Sequence, residues 1–327
     1  MYKFAIIGCG RIAPRHAENI LKVGELVAVC DIDKAKADAF AKQYDVKAYY
    51  SIDDLLRGES NIDVVSVCTP NGFHAEHAIK SLQARKHVLC EKPMCITSVA
   101  AWQMADTAHF FRKKLFVVKQ NRFNPPIQQV KKDLDANKYG DIYSFQINCF
   151  WNRSQGYYTG DWRGSKELDG GTLYTQFSHF LDVLYWFLGD VEDVKGFKNN
   201  FTHHKHVDIE DTGVVALKMK SGALGTLHFT VNSFQKNQEG SLTLFGEKGS
   251  VKIGGQYLNT LEWYATESGE TPVLPPTAQA NEYGHYQGSM SNHDKVYESL
   301  VAALESNGSL LEARDAVKTI EIIEKIY

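Results

Sequence analysis

The segment His87-Val88-Leu89-Cys90-Glu91-Lys92-Pro93-Met94 decides how the first half of the chain is interpreted. Val88 to Cys90 is an apolar run with the length of a buried strand, and it ends abruptly at Glu91-Lys92-Pro93. Ligands of open parallel sheets bind beyond the carboxyl ends of the strands, which places Lys92 where chemistry would occur. The following proline restrains Lys92 to an extended backbone. A surface lysine beside a strand-ending proline is the alternative, so the rest of the chain has to be considered.

A glycine-rich turn follows the first apolar strand. Phe4 to Ile7 is that strand, and Gly8-Cys9-Gly10-Arg11-Ile12-Ala13 matches the spacing G-x-G-x-x-A before a predicted helix. The first glycine permits the tight turn, the second lets the backbone approach a pyrophosphate, and the helix N-terminus favours an anion. A second strand ends at Asp31, about 20 residues further on, where a carboxylate would bind a ribose hydroxyl. The acidic segment Asp31-Ile32-Asp33 would repel a ribose phosphate, so the sequence predicts NAD rather than NADP.

Apolar strands and amphipathic helices alternate between residues 4 and 119, which predicts a doubly wound parallel sheet. Polar clusters follow five of the strands, at residues 8–13, 31, 69–74, 91–93 and 120–122. Because the carboxyl ends of parallel strands meet at one edge, these clusters predict one rim of an active site. The residues that we predict to bind the cofactor are Gly8, Gly10, Arg11, Ile12, Asp31, Thr69, Pro70, Asn71, His74, Glu91, Lys92 and Gln120.

The composition excludes several classes of function. A chain of 327 residues can form two domains, and 23% charged with 43% hydrophobic residues is ordinary for a soluble globular protein. The net charge of −3 predicts no binding to nucleic acid or to an anionic membrane. No apolar run approaches the roughly 18 to 20 residues that cross a bilayer. The first residues enter a strand at once, which predicts that no signal peptide is present.

The six cysteines have no C-x-x-C spacing. Several of them fall at the ends of apolar runs, where a free cysteine behaves as a small buried hydrophobic residue. We therefore predict a reduced, cytoplasmic protein without disulfides and without a metal site. The run His203-His204-Lys205-His206 has no spacing that suits a metal site on a helix or strand, and we interpret it as a solvated loop.

The alternation of strands and helices stops at Asn124-Pro125-Pro126. Tyr143 to Trp151 alternates as a half-buried strand does, and three or four further strands follow between residues 211 and 253. This pattern predicts an open, mostly antiparallel sheet with helices on one face, and further helices end the chain. The predicted fold class is therefore α/β, with a Rossmann domain over residues 1–122 and a second domain over residues 123–327.

A polar, aromatic loop from Asn152 to Asp169 precedes a helix that we predict from Gly170 to about Leu188. Loops of that length in compact domains are usually functional or disordered, and the aromatic content of this loop argues against disorder. Gln176, His179 and Asp182 are spaced three apart, which predicts them on one side of that helix. A lone histidine on a largely apolar helix is also typical of a core residue. The residues that we predict to contact a substrate are Arg122, Arg153, Trp162, Arg163, Thr175, Gln176 and His179. A structural role is an equal alternative for four of them: Arg122, Arg153, Trp162 and Arg163.

With the glycine turn, Glu91-Lys92-Pro93 and the segment Gly170 to Asp182, the chain resembles the glucose–fructose oxidoreductase/inositol dehydrogenase (Gfo/Idh/MocA) family over essentially its full length. The resemblance implies a Rossmann domain followed by a domain with a large open sheet. That second domain would bind the substrate and mediate assembly into a homo-oligomer, a dimer or tetramer. The resemblance also implies that Lys92 and His179 are the catalytic residues and meet at the reacting carbon of a sugar.

One position departs from the family pattern. Many members carry an aspartate four residues before the helix histidine, and this chain has Thr175 there. Threonine is no acid or base near neutral pH, which leaves Lys92 and His179 to share the proton transfer. The segment Gly8 to His16 is more narrowly similar to the branch that oxidises carbon 3 of UDP-N-acetylglucosaminuronate, which also tends to lack the aspartate. That branch feeds the synthesis of acylated diamino sugars in bacterial surface polysaccharide, and it can recycle its reduced cofactor on 2-oxoglutarate.

The resulting hypothesis is hydride transfer from a sugar C–H to NAD. His179 is the favoured general base, because the pKa of an imidazole ordinarily lies near working pH. Lys92 would stabilise the developing oxyanion, or would itself be the base, since the positive charge of the nicotinamide favours a neutral amine. Two alternatives stay open. One is a dehydrogenase of a free sugar or an inositol, and the other is a non-catalytic NAD-binding regulator, which would bind the cofactor without turning over any sugar.

Overall fold

A computed structural model describes residues 1–159, 162–203, 207–282, 287–306 and 311–327. The chain forms two compact units, the first from Met1–Lys119 and His293–Ile320 and the second from Gln120–Asn292 and Glu321–Tyr327. The predicted boundary after residue 122 lies close to the change of unit between residues 119 and 120. The prediction of one continuous second domain over residues 123–327 differs from this division, because the segment His293–Ile320 groups with the first unit.

The first unit contains a six-stranded parallel sheet. Its strands are β1 (Tyr2–Ile7), β2 (Gly24–Cys30), β3 (Lys47–Tyr49), β4 (Val64–Val67), β5 (His87–Cys90) and β6 (Leu115–Val117). The helices that alternate with them are α1 (Ala13–Val23), α2 (Lys34–Tyr44), α3 (Ile52–Gly58), α4 (His74–Gln83) and α5 (Ser98–Phe110). The strand order is β3-β2-β1-β4-β5-β6, which is the order of a doubly wound dinucleotide-binding sheet.

The central strands of this sheet are buried on both faces. All four residues of β4 are buried, as are Val88, Leu89 and Cys90 of β5. Parallel strands covered by helices on both sides read as continuous apolar runs, and this is the signal that located β4 and β5 from the sequence. The predicted doubly wound sheet is confirmed, and so is the strand that ends before Glu91.

The second unit contains a seven-stranded sheet and a separate hairpin. In chain order its elements are α6 (Pro125–Asp135), β7 (Ile142–Phe150), α7 (Gln155–Tyr158), α8 (Ser178–Leu188), β8 (Val191–Asn199), β9 (Thr212–Met219), β10 (Leu224–Thr230), β11 (Glu239–Gly246), β12 (Gly249–Gly254), β13 (Thr260–Thr266), β14 (Ala280–Glu282) and β15 (Gln287–Met290). Helix α9 (His293–Glu305), which belongs to the first unit, and helix α10 (Ala313–Ile326), which begins in the first unit, follow in the chain. The order of the seven-stranded sheet is β13-β12-β11-β7-β10-β9-β8, and among its described strand pairs only β7–β10 is parallel.

The large, mostly antiparallel sheet confirms the predicted architecture. Along β7, the buried residues Phe145, Ile147 and Cys149 alternate with the more exposed Gln146 and Asn148, as a sheet with one covered face requires. The prediction of three or four further strands is too low, because β8, β13 and the β14–β15 hairpin are also present.

The predicted regular helix from residue 170 to residue 188 is wrong in its first part. Leu173–Phe177 forms a π-helical turn, and the α-helix begins only at Ser178. Gln176 therefore precedes the helix that carries His179 and Asp182. π-helical turns are frequent at functional sites. No helix in the described ranges combines the length and the hydropathy needed to span a membrane.

Candidate active site

The turn after β1 has the backbone that a dinucleotide site requires. Gly8 has a φ of +93°, and a Cβ at this position would lie 2.7 Å from the carbonyl oxygen of Cys68. Any side chain there would collide with the backbone that follows β4. A Cβ at Gly10 would meet no atom within 4 Å, so the backbone just before α1 stays open to an anion.

The carboxylate of Asp31 lies directly after β2 and binds the same turn. It accepts hydrogen bonds from the backbone N–H of Cys9 at 2.8 Å and of Asp33 at 2.9 Å. Its remaining lone pairs can accept ribose hydroxyls. The Asp33 side chain instead caps α2 through the N–H groups of Ala35 and Lys36. The open turn, the N-terminus of α1 and the Asp31 carboxylate fit NAD, and Arg11 and Ile12 belong to this turn.

His74 joins two loops at the carboxyl edge of the sheet. Its Nδ1 lies 2.7 Å from the carbonyl oxygen of Pro93, and its Nε2 lies 2.7 Å from that of Thr69. Burial lowers the pKa of His74, and the two carbonyl groups oppose that change. The imidazole therefore positions the loops after β4 and β5. Asn71 is buried in the first of these loops, and Pro70 is half-buried there.

Glu91 and Lys92 follow β5 at this edge. Oε1 of Glu91 lies 2.8 Å from Nε2 of His16 and 3.4 Å from Nε2 of His293. Oε2 accepts a hydrogen bond from the backbone N–H of Lys92 at 3.0 Å. Lys92 is half-buried, and its peptide bond to Pro93 is cis. Protein groups thus bind both oxygens of the Glu91 carboxylate, and a contact of Glu91 with the cofactor stays a prediction.

His16, Glu91 and His293 are the one group of three potential metal ligands in the described parts of the chain, with ligand atoms within 4.8 Å of one another. The separation of 2.8 Å between His16 and Glu91 is that of a hydrogen bond. Two ligands of a tetrahedral zinc ion would be about 3.3 Å apart. The geometry therefore favours a hydrogen-bonded network over a metal site. Of the predicted histidine run, residues 204–206 lie outside the described residues, and His203 is buried against Asp211.

Thr175 contacts a buried carboxyl group in the second unit. Its hydroxyl donates a hydrogen bond to Oδ1 of Asp169, and the backbone N–H of Gly164 donates to Oδ2 at 2.9 Å. Burial raises the pKa of Asp169 to about 6, and these hydrogen bonds oppose part of that change. His179, in the first turn of α8, is also buried. An ionisable carboxyl group is thus bonded to the residue that replaces the family aspartate.

A second carboxyl group with a raised pKa binds the start of the same segment. Glu210 accepts hydrogen bonds from the backbone N–H of Thr172 at 3.0 Å and from the hydroxyl of Tyr327. Burial raises the pKa of Glu210 to about 7. The sequence analysis missed Asp169 and Glu210 as functional candidates. The position of Asp169 beside the glycine-led segment could have drawn attention to it. Glu210 has no such signal in the sequence.

Arg122 forms a buried ion pair. Its Nε donates to Oδ2 of Asp182 at 2.7 Å, and its Nη2 donates to Oδ1 at 2.8 Å. Its guanidinium also lies 4.8 Å from the ring centre of Trp186. This bidentate pair joins the segment Gln120–Phe123 to α8 and favours the structural role for Arg122. In the same segment, the side chain of Gln120 donates to Oγ of Ser289 at 3.0 Å.

Arg153 and Gln176, by contrast, are brought together. Nε of Arg153 donates to Oε1 of Gln176 at 2.7 Å, and Nε2 of Gln176 donates to the hydroxyl of Tyr157 at 2.7 Å. The guanidinium of Arg163 lies 4.9 Å from the ring centres of both Tyr157 and Trp162. Four of the predicted substrate residues therefore form one cluster of arginines, aromatic rings and amide groups around Tyr157.

Comparisons with known proteins agree with this architecture. Residues 2–118 match the family described as "Oxidoreductase family, NAD-binding Rossmann fold", and residues 127–252 match the "GFO/IDH/MocA C-terminal domain". Among curated proteins, the chain is 32% identical over 192 residues to the glucose-6-phosphate 3-dehydrogenase of Bacillus subtilis and 35% identical over 194 residues to the D-glucoside 3-dehydrogenase of Escherichia coli. These matches take in 58% and 57% of this chain, and it spans 54% of the length of each relative.

Two solved structures are similar over the whole chain. The WlbA dehydrogenase of Bordetella pertussis, in complex with NADH and UDP-GlcNAcA, has a TM-score of 0.89 at 32% identity, covering 100% of this chain and 95% of that one. The WlbA dehydrogenase of Chromobacterium violaceum, in complex with the same two ligands, has a TM-score of 0.86 at 32% identity, covering 100% and 92%. With both domain matches and full-length similarity at this identity, the protein belongs to the Gfo/Idh/MocA family of oxidoreductases and carries its NAD-binding Rossmann domain.

Proposed function

We propose that the protein is an NAD-dependent dehydrogenase that oxidises a hydroxyl group of a sugar to a ketone. The observation that carries this proposal is the position of Lys92 directly beyond the carboxyl end of β5. The carboxyl ends of β1 and β2, at the same edge of this sheet, carry the open glycine turn and the Asp31 carboxylate, which fit NAD. A lysine at this edge can act on the substrate beside the cofactor.

The substrate that we favour is UDP-N-acetylglucosaminuronate (UDP-GlcNAcA), oxidised at carbon 3 in the synthesis of bacterial surface-polysaccharide sugars. The support is the similarity to two proteins solved with NADH and UDP-GlcNAcA, which extends over the entire chain. The cluster of Arg153 and Arg163 around Tyr157 supports an anionic substrate, because guanidinium groups bind carboxylates and phosphates well.

In the proposed mechanism, an imidazole nitrogen of His179 takes the proton of the reacting hydroxyl. The ammonium group of Lys92 donates a hydrogen bond to the same oxygen and stabilises the negative charge that develops there. Bound NAD supplies the acceptor for the hydride that leaves the sugar carbon. A neutral Lys92 could instead take the proton itself. The Thr175 hydroxyl donates a hydrogen bond to Asp169 but does not exchange a proton near neutral pH.

A dehydrogenase of a free or phosphorylated sugar, or of an inositol, is the second candidate. It is supported by the named activities of other relatives, among them the glucose-6-phosphate 3-dehydrogenase of Bacillus subtilis and the myo-inositol 2-dehydrogenase of Thermotoga maritima, to which the chain is 26% identical. These matches are shorter than the structural similarity to the WlbA dehydrogenases.

The test is formation of NADH by purified protein with UDP-sugars, UDP-sugar acids, free and phosphorylated sugars, and inositols. Each reaction is run with and without 2-oxoglutarate, so that a tightly held reduced cofactor can be recycled. Turnover confined to UDP-GlcNAcA would support the favoured substrate, and turnover of free sugars or inositols would replace it with the second candidate. Binding of NAD without turnover of any compound would contradict the proposal and favour a regulator.

Two further properties belong to the same proposal. Five large apolar residues are exposed on one face of the seven-stranded sheet: Phe197, Val214, Leu224, Phe245 and Trp263. We propose that this face forms a homo-oligomer, because large apolar side chains exposed on one face of an open sheet indicate an interaction site. We also propose a cytoplasmic location, since all six cysteines are free and buried, as in proteins of reducing compartments.

A further inference from the structure

A buried polar network surrounds the carboxylate of Glu91 in the first unit. Four of its side chains, those of His16, Ser66, His293 and Tyr297, are at most 1% exposed. Glu91 itself is 7% exposed. A polar group buried to this extent is costly unless it is hydrogen-bonded, so the hydrogen-bond partners of each of these side chains have to be identified.

The partners of Glu91 come from two distant helices. His16 lies in the first turns of α1, and His293 and Tyr297 are four residues apart on α9, so they share one face of that helix. The ring of His16 packs edge-on against both, with ring centres 5.6 Å from His293 and 5.7 Å from Tyr297. Helix α9 thus contributes directly to the surroundings of the residue that precedes Lys92.

The hydrogen bonds can be assigned without an unsatisfied contact at Glu91. Its Oε1 accepts from the Nε2–H groups of His16 and His293, at 2.8 and 3.4 Å. In that tautomer Nδ1 of His16 accepts from the hydroxyl of Tyr297 at 2.7 Å, which in turn accepts from Ser66 at 2.9 Å. The second oxygen, Oε2, is left for the backbone N–H of Lys92.

The charge state agrees with this assignment. Burial disfavours the charged form of Glu91, but its hydrogen bonds with His16 and His293 outweigh burial and hold its pKa well below the usual range. Burial lowers the pKa of His293, which keeps its ring neutral. A carboxylate with both oxygens committed as acceptors is therefore fixed between two helices and the Lys92 backbone.

We propose that His16, Glu91, His293 and Tyr297 form a positioning network that fixes the backbone of Lys92 for catalysis. The proposal rests on the catalytic role proposed for Lys92. The network orients Glu91, Glu91 holds the N–H of Lys92, and this bond sets the point from which the lysine side chain reaches the substrate. The helix α9 thereby acts on the reaction although none of its residues named here contacts the reacting atoms.

The test uses Glu91→Gln and Tyr297→Phe in the whole 327-residue chain, with the substrate that reduces NAD fastest. An amide offers one acceptor oxygen, so the side chain introduced by E91Q cannot accept from both the imidazoles and the Lys92 amide. We expect E91Q to lower kcat by about 10- to 100-fold, as small displacements of catalytic groups do, with the substrate KM within about threefold of wild type. We expect Y297F, which removes the hydroxyl that bonds His16 and Ser66 and leaves Glu91 intact, to lower kcat less.

The double variant E91Q/Y297F separates positioning from general damage. If Tyr297 acts through Glu91, the kcat of the double variant equals that of E91Q alone. If the two substitutions act independently, their fold-changes in kcat multiply. Glu59→Gln is the matched control, because Glu59 is a buried glutamate of the same unit that is bonded to Lys47 and Tyr49. This control should keep kcat within about twofold of wild type.

Hydrogen exchange of the Lys92 amide gives a readout that needs no substrate. The amide should be protected in wild type and in E59Q and should exchange faster in E91Q and Y297F. Unchanged exchange, unchanged kcat in E91Q, or multiplied effects in the double variant would each overturn the network. If exchange responds as expected while Lys92→Met retains full turnover, the network stands as a structural feature and the proposed role of Lys92 fails.

Discussion

Thr175 donates a hydrogen bond to the buried carboxyl group of Asp169 in the second unit. Relatives with an aspartate at the position of Thr175 would carry the ionisable group on the segment before the helix itself. Here the ionisable group comes from the preceding loop and is joined to that segment by the threonine hydroxyl. The pKa of Asp169 is raised to about 6, with burial as the largest cause.

This raised pKa predicts a pH-dependent stability. A carboxyl group whose folded-state pKa exceeds its unfolded-state value stabilises the fold fully below the unfolded pKa, and that contribution is lost as pH rises through the folded pKa. The free energy of unfolding of wild type relative to Asp169→Asn should therefore fall by up to about 3 kcal/mol between pH 4 and pH 7. Urea denaturation at both pH values measures it. The exposed Asp193→Asn serves as the control, and equal pH dependence of wild type and D169N would contradict the prediction.

The bidentate pair between Arg122 and Asp182 predicts a stability defect rather than a substrate-binding defect. Lysine cannot reproduce two parallel hydrogen bonds, so Arg122→Lys leaves part of a buried carboxylate unpaired. We expect a loss of about 3 kcal/mol in the free energy of unfolding, with the substrate KM within about twofold of wild type. The control Arg57→Lys alters an exposed pair with Asp54 and should change stability by less than about 0.5 kcal/mol. A large rise in KM without loss of stability would restore the substrate role of Arg122.

Replacement of Lys92 tests the chemical step. Lys92→Met keeps the approximate length of the side chain and removes its charge, so we expect kcat to fall about 10²- to 10⁴-fold while NADH still binds. Lys86→Met is a matched control, because Lys86 is a buried lysine that precedes β5 at the opposite end of the same strand and donates to the Ser60 carbonyl. Stopped-flow measurement of NADH formation separates the chemical step from product release. Wild-type turnover by K92M would exclude both proposed roles for the lysine.

The choice between NAD and NADP should depend on Asp31 and not on Asp33. Removing the Asp31 charge relieves repulsion of a ribose phosphate, so Asp31→Ser should raise the ratio of kcat/KM for NADP to that for NAD by about tenfold or more. Because Asp33 caps α2, Asp33→Ser preserves a capping hydroxyl and should leave the ratio unchanged. If D33S shifts the ratio and D31S does not, the carboxylate of Asp33 is the group that discriminates against NADP.

The first unit could be predicted in most respects because its signals are local. Buried parallel strands appear as short apolar runs, and each run ends at a polar cluster, so the edge that carries Gly8, Asp31, Thr69 and Lys92 follows from strand direction alone. The interaction of His16 with Glu91 could not be predicted, because the two residues are 75 positions apart. His293 is 202 positions from Glu91, in a segment that no local pattern assigns to the Rossmann unit.

The second unit was harder to predict because its edge strands lack a strong pattern. Strand β8 has one buried residue, Val191, and is otherwise half-buried or exposed, so the apolar alternation that marked β7 is absent. The residue types in the π-helical turn before α8 also occur at the start of ordinary α-helices, so the sequence does not distinguish the two. Arg122 shows the limit for site residues, since a buried ion pair and a substrate contact use the same side chain and differ only in the partner that folding supplies.

The exposed face of the seven-stranded sheet provides the last prediction. Phe197 on β8 and Val214 on β9 are neighbours in the register and are both exposed, at 88% and 50%. If copies of the chain associate through this face, burial of these side chains drives the association. The double variant Phe197→Glu/Val214→Glu should then shift the mass in solution from an oligomer to a single chain at micromolar concentration, measured by light scattering after size exclusion.

The control Phe110→Glu changes a similarly exposed aromatic residue on α5 of the first unit and should leave the mass unchanged. A wild-type protein with the mass of one chain, or dissociation by F110E instead, would show that the sheet face is not the interface.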